Sequence, residues 1–335
     1  MTDPVLVEIT RGGIVESFHH GAVAVVDADG ATVLALGDID RPIFPRSAVK
    51  GFQALPLIES GAADRFHLTD SEIALACASH SGEPRHAGAA AAMLGKVGLD
   101  LRCLECGAHW PMGEKAARAL AAEGKTPLAL HNNCSGKHAG FICVAVQEKI
   151  DPKGYVKPDH PLMREISAVL GSMTGYDLAR TARGVDGCSI PTFAIPLRNI
   201  AHGFAKFATG QGLAPERAKA AARLRRAVAA EPFMVAGTDR FDTVIMEALR
   251  ERAFIKTGAE GVYCAALPEA GLGIALKIED GAGRAAETAM AALLRRFLKL
   301  EGDAAAVIAA RTDHAMENWN GIEVGRMRAG KLLSA

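Results

Sequence analysis

Ser47 and Lys50 stand three residues apart in Phe44-Pro45-Arg46-Ser47-Ala48-Val49-Lys50-Gly51, the shortest arrangement in which an amine can activate a hydroxyl. A serine hydroxyl is a poor nucleophile at neutral pH and needs a neighbour to take its proton. Positions three apart on a helix share a face, with about 5–6 Å between Cβ atoms. Lys50 can therefore reach back to Ser47, provided burial keeps its amine uncharged. Pro45 would end an extended segment and leave Ser47 in the first helical turn, where free backbone N–H groups favour a developing oxyanion. Ser-x-x-Lys by itself is a weak signal, because a chain of 335 residues holds several such spacings by chance.

Two further segments extend the constellation. Ala78-Ser79-His80-Ser81-Gly82 closes a predicted helix, and Lys256-Thr257-Gly258 stands immediately before an apolar strand. Ser79 can relay a proton between the two lysines, while Lys256 supplies positive charge that lowers the pKa of its neighbours. Gly258 lets a substrate lie close against the strand edge. Cys134, His138 and Cys188 read as metal-ligand candidates: the first two are four apart at a helix start, and Cys188 follows Asp186-Gly187 in a turn. Two thiolates, a nitrogen and a water would suit zinc. Cys103-Leu104-Glu105-Cys106 has metal-site spacing but no second pair, and Cys77, Cys143 and Cys264 fall on apolar faces as core thiols.

The elements that must hold these residues are legible from pattern. Val5 to Thr10 reads as a strand, followed after Gly12-Gly13 by a hairpin of Ala22 to Val26 and Thr32 to Leu36. The Asp29-Gly30 turn between those runs calls for positive φ at both central residues. His19 and His20 read as surface or turn residues. From Asp70 to about Pro268 the pattern is mostly helical, with Asp70 as a cap and helices over 84–94, 113–122, 135–147, 160–173, 197–208, 215–229 and 242–253. Strands return at 261–267 and 272–278 around Pro268-Glu269-Ala270-Gly271, then a helix over 286–300 and an edge strand at 321–325. Neither hairpin would be stable alone, so N- and C-terminal strands must share one sheet.

Acidic and basic residues balance at 38 each, leaving no basic stripe for nucleic acid, so a small neutral or zwitterionic partner is expected. The start, Met1-Thr2-Asp3-Pro4-Val5, lacks the basic and apolar regions of a signal peptide. No apolar run approaches the roughly 18 residues that span a bilayer. The expectation is a soluble, cytoplasmic protein with reduced thiols, the odd count of seven cysteines making a complete disulfide framework impossible.

Ser-x-x-Lys, a second serine loop and Lys-Thr-Gly at a strand, in that order, form the set found in serine β-lactamases and penicillin-binding proteins. The usual Ser-x-Asn reads Ser79-His80-Ser81 here, which weighs against β-lactam or peptide processing. The whole chain resembles the rhizobial-type, or class 3, L-asparaginases, also called the asparaginase II family. The resembling stretches are Pro45 to Lys50, Ala78 to Glu83, Val185 to Ser189, Gly237 to Asp242 and the specific segment His131-Asn132-Asn133-Cys134-Ser135-Gly136-Lys137-His138-Ala139-Gly140.

The resemblance implies an α+β, β-lactamase-like fold: an antiparallel sheet of N- and C-terminal strands (1–45 and 255–335) covered by helices, with a mainly helical part (46–254), all one catalytic unit over 1–335. It also implies a homodimer that hydrolyses L-asparagine to L-aspartate and ammonia, using two Ser-Lys pairs, Ser47 with Lys50 and Ser79 with Lys256. Which serine attacks is left open. The same carry-over makes Lys137 the nitrogen ligand, with Cys134 and Cys188, of a Zn²⁺ whose fourth ligand is water and which shapes the pocket and orients substrate. Lys137 would then have to be uncharged. Arg46 is placed to meet the substrate α-carboxylate, and Asp186 and His138 are candidates for substrate or supporting contacts. A glutaminase, another serine amidohydrolase or β-lactamase-like enzyme, and a zinc-dependent amino-acid sensor are the alternatives. Four coupled titratable groups weigh against the sensor.

Overall fold

In the computed structural model, which describes residues 3–334, the first two strands are β1 (Val5–Arg11) and β2 (Ile14–Asp27). Gly12 and Gly13 join them at φ of 55° and 87°, a backbone that costs glycine nothing because it has no Cβ. β2 is long enough to hold two partners in succession. Its first half pairs with β1, and its second half pairs with β3 (Thr32–Leu36).

The strands of the C-terminal part are β4 (Phe254–Thr257), β5 (Val262–Leu267), β6 (Leu272–Ile278), β7 (Asp313–Glu317) and β8 (Glu323–Ala329). All pairings are antiparallel and the order is β7-β8-β1-β2-β6-β5-β4, with β3 also on β2. Gly21–Asp27 of β2 pair with Leu272–Ile278 of β6, so the two ends of the chain do build one sheet. The expected α+β layout, a sheet from both termini around a helical middle, is the observed one.

Helices used below are α1 (Lys50–Gln53), α2 (Asp70–Ala76), α3 (Pro84–Lys96), α4 (Ser135–Gln147), α5 (Leu197–Thr209), α6 (Phe241–Leu249) and α7 (Gly283–Phe297). α4 is buried on every side from Ser135 to Ala145, which is how it carries Lys137 and His138 into the interior. Among the described residues no helix is long and apolar enough to cross a membrane.

Several local expectations change. Only Gly30 of the Asp29-Gly30 pair has positive φ, because the Asp27 carboxylate accepts the N–H groups of Asp29 and Ala31 and closes the turn. Thr69, not Asp70, caps α2: its hydroxyl accepts Glu72 N–H while the Glu72 carboxylate accepts Thr69 N–H. His19 and His20 lie inside β2, and His19 is buried with its Nδ1 2.6 Å from Asp280 Oδ2. Lys256 sits within its own four-residue strand, β4, too short for alternation to reveal.

Candidate active site

Arg46–Val49 form a single 3₁₀ turn leading into α1, and Arg46 holds φ of 52°, a left-handed backbone that a non-glycine residue adopts at some strain. Ser47 follows it, half-buried. Ser47 Oγ makes no hydrogen bond among the described residues, so the expected hydrogen bond with Lys50 is not formed. Lys50, 1 % exposed, instead turns its amine to three acceptors: Ala78 O at 2.5 Å, Ser79 Oγ at 3.0 Å and Cys134 Sγ at 3.1 Å.

Ser79 follows α2 on a loop pinned from two sides. Its N–H donates to Val235 O and that of Ser81 to Ala236 O, while His80 N–H reaches Asn133 O. His80 is fully buried. Its Nδ1 accepts Gly82 N–H, which leaves the proton on Nε2 to donate to Ser135 Oγ, 2.9 Å away. The ring stacks on His86, and His86 on Phe233. So held, Ser79 Oγ lies 3.0 Å from Lys256 Nζ as well as 3.0 Å from Lys50 Nζ.

Three segments far apart in sequence thus converge on one hydroxyl. Lys256 Nζ also donates to Thr257 O at 2.8 Å. Burial pushes the Lys256 amine down to about 7; the Asp242 carboxylate opposes this and Lys50 assists it. Lys256 therefore gains and loses its proton near neutral pH and is not the fixed positive charge that the sequence reading made it. A neutral amine has one lone pair, which the Ser79 hydroxyl can fill as donor while it accepts from Lys50.

Gly258 ends β4 against the Ser47 turn: a Cβ there would lie 2.7 Å from Pro45 O and 3.2 Å from the Ala48 Cβ. Only glycine permits this approach. It brings the backbone after Gly258 beside Ser47, and the N–H groups of Ser47 and Ala259 take no acceptor among the described residues.

Cys134, Lys137 and Cys188, the expected metal ligands, do assemble. Cys134 precedes α4, with its N–H on Asn132 Oδ1, and Cys188 comes from the tip between two short strands, Arg183–Val185 and Pro191–Phe193. Lys137 Nζ is 3.1 Å from Cys188 Sγ, and all three residues are buried. The adjoining Cys188 thiol holds Cys134 well below the usual thiol range, against burial and with help from Lys50 and Lys137. The same contact, with burial, pushes Cys188 up. Burial disfavours charge on Lys137, but Cys188, Cys134 and Asp186 outweigh it and raise that amine. Two soft sulfurs and a nitrogen clustered away from water suit zinc in kind, provided the metal displaces the lysine proton. Among the described residues no group of three His, Cys, Asp or Glu is placed to hold a metal ion.

Arg46 and Asp186 pair with each other, Nε and Nη2 lying 2.9 and 2.8 Å from Oδ1. Against burial, Lys137 and Arg46 hold the Asp186 carboxylate below its ordinary range. His138 is fully enclosed; Nδ1 lies 2.6 Å from Tyr155 Oη and Nε2 has no hydrogen-bond partner among the described residues. All seven cysteines are free thiols.

Sequence reasoning assigned no role to Asp242, although it lies in a stretch that resembles the family. It is completely buried, its Oδ1 accepts Thr257 N–H at 3.0 Å and its Oδ2 accepts the Tyr263 hydroxyl. The one available signal was an acid in the first turn of the apolar helix α6.

Fold and site together define a class: an α+β protein with a serine hydroxyl set between two buried lysine amines, the equipment of serine acyl transfer. The L-asparaginase II family profile matches residues 7–329, and the chain belongs to that family. Membership places it among asparaginase-type amidohydrolases, whose substrates are small molecules. No curated protein matches the chain in sequence. Solved structures to which it is similar include a simvastatin synthase from Aspergillus terreus, at 12% identity over 77% of this chain and 86% of that one, with a TM-score of 0.38. A beta-lactamase from Mycobacterium bovis matches at 14% identity over 87% of this chain and 95% of that one, TM-score 0.38.

Proposed function

We propose that the protein is an L-asparaginase, and the observation that carries its mechanism is Ser79 Oγ at 3.0 Å from both Lys50 and Lys256. Ser47 is the nucleophile. It is the less buried of the two serines, it directly follows the strained Arg46, and its N–H and that of Ala259 take no acceptor among the described residues and can hold an oxyanion. Ser79, 5 % exposed, is the relay.

Ser47 Oγ adds to the side-chain amide carbon of asparagine. Its proton goes to Lys50 as Lys50 protonates Ser79 and Ser79 passes its own proton to Lys256. The Ser47–Lys50 hydrogen bond forms with substrate in place, since such contacts often tighten only in the complex. The tetrahedral adduct collapses, the C–N bond breaks, and the leaving nitrogen takes the proton back along the same path and departs as ammonia. Water then adds to the β-aspartyl ester, releasing L-aspartate and restoring the Ser47 hydroxyl.

The paired Arg46 and Asp186 offer one charge of each sign to the α-carboxylate and α-ammonium of a free amino acid. Cys134, Lys137 and Cys188 would hold zinc, which when bound supplies a fixed positive charge that shapes the pocket and orients substrate. His138 supports α4 from within, its ring against Phe141 and Tyr155. Ser47 and Ser79 come from the helical part and Lys256 from the sheet part, which supports reading the chain as one catalytic unit. A cytoplasmic homodimer is the form in which we expect it to act.

Ammonia release from L-asparagine and L-glutamine, measured side by side, tests the substrate. Turnover of neither would remove the function. Mass spectrometry of acid-quenched reactions tests the roles: Ser47→Ala should form no β-aspartyl adduct, whereas Ser79→Ala should form it slowly. An adduct on Ser47→Ala would move the attack to Ser79.

A further inference from the structure

We infer that Asp242 is a positioning residue that sets both the base strength of Lys256 and the seat of the strand end beside Ser47. Its carboxylate spans the β4–β5 hairpin. Oδ1 takes the N–H of Thr257 on β4, and Oδ2 takes the hydroxyl of Tyr263 on β5, the residue directly opposite Thr257 in the register. β4 is the edge strand of the sheet, so this carboxylate from α6 caps an edge donor and ties the helix to the hairpin that bears the amine.

Thr257 is gripped at both ends of its backbone, its N–H by Asp242 and its C=O by Lys256 Nζ. The next residue, Gly258, meets Pro45 and Ala48. Displacement of Asp242 is therefore passed to Lys256 and to the backbone beside Ser47.

The charge has a separate effect. The groups facing Lys256 are Lys50 on α1, the Cys77 thiol after α2, the Cys134 thiol before α4, Arg240 and Asp242 at the start of α6, and the Cys264 thiol on β5. Asp242 is the one carboxylate among them. An opposite charge favours the charged form, so Asp242 keeps the base from falling further. A weaker amine would stay unprotonated at lower pH but would accept the serine proton less readily.

This rests on the amidohydrolase reading for its kinetic readout, and a second readout does not depend on turnover. Asp242→Asn keeps an oxygen for Thr257 N–H and removes the charge. The acid limb of its kcat/KM profile should move down by about one pH unit or more, with a lower plateau. Tyr263→Phe keeps the charge and loosens the clamp, so it should lower kcat and thermal stability without moving the limb. The Lys256 ¹³Cε resonance, assigned by its loss in Lys256→Arg, should titrate at lower pH in Asp242→Asn than in wild type. An unmoved resonance and limb in Asp242→Asn would overturn the inference. If the resonance moves while neither form releases ammonia, Asp242 keeps its role and the substrate assignment fails.

Discussion

Lys256→Arg is the most informative single change, because it keeps a long cationic side chain and removes the ability to lose a proton at any working pH. With its amine held down to about 7, Lys256 is mostly neutral at pH 7.5. A lysine at its ordinary value would be neutral in only about one molecule in 10³ at that pH. Burial is the main cause of the difference and Lys50 adds to it, while Asp242 opposes it. Wild-type kcat/KM, followed as ammonia release from pH 5 to 9.5, should rise about tenfold per unit below neutrality and level off above it. Lys256→Arg should lose about 10²- to 10⁴-fold, the usual worth of a general base, with no limb near 7. A flat wild-type profile from pH 5 to 9, or an arginine variant that keeps the same limb, would refute the assignment of the base.

The same buried amine makes a prediction about stability. Between about pH 7 and 10 the unfolded chain binds a proton on residue 256 that the folded chain does not, so this group's contribution to stability improves as pH rises through that window. Below it the deficit reaches on the order of 5 kcal/mol at most, less about 1–3 kcal/mol for leaving Thr257 O unpaired if the lysine is replaced. Lys256→Met should therefore melt higher than wild type at pH 6, with the gap closing toward pH 10; a gap that widened with pH would reverse the sign. Cys188→Ala should lose stoichiometric zinc by elemental analysis and mainly raise KM, and retention of one zinc per chain would contradict the ligand set. Gly258→Ala places a methyl 2.7 Å from Pro45 O, so the Ser47 turn must shift. An unchanged kcat/KM would show that this approach does not matter, whereas a displacement near 1 Å is worth about 10²-fold.

Turns, caps and helical periodicity are local, and they were readable in the chain: the 135–147 helix falls on its expected bounds, and the two terminal hairpins meet in one sheet because neither could bury its faces alone. The candidate groups were equally visible at Ser47, Lys50, Ser79, Lys256, Cys134, His138 and Cys188, while Lys137 entered only through the family resemblance. Their partners were not visible. Spacing put Lys50 with Ser47, but its acceptors, Ala78 O, Ser79 Oγ and Cys134 Sγ, belong to segments that only folding brings near. Asp242 carried only a weak signal, since an acid in the first turn of an apolar helix looks like an exposed position until its burial is known. Whether an amine is a charge or a base depends on the water removed from it and on the sum of charges around it. Both quantities are set by distant parts of the chain meeting in space, so the sequence by itself supplied the candidate groups and the tertiary structure decided which amine burial makes easier to deprotonate.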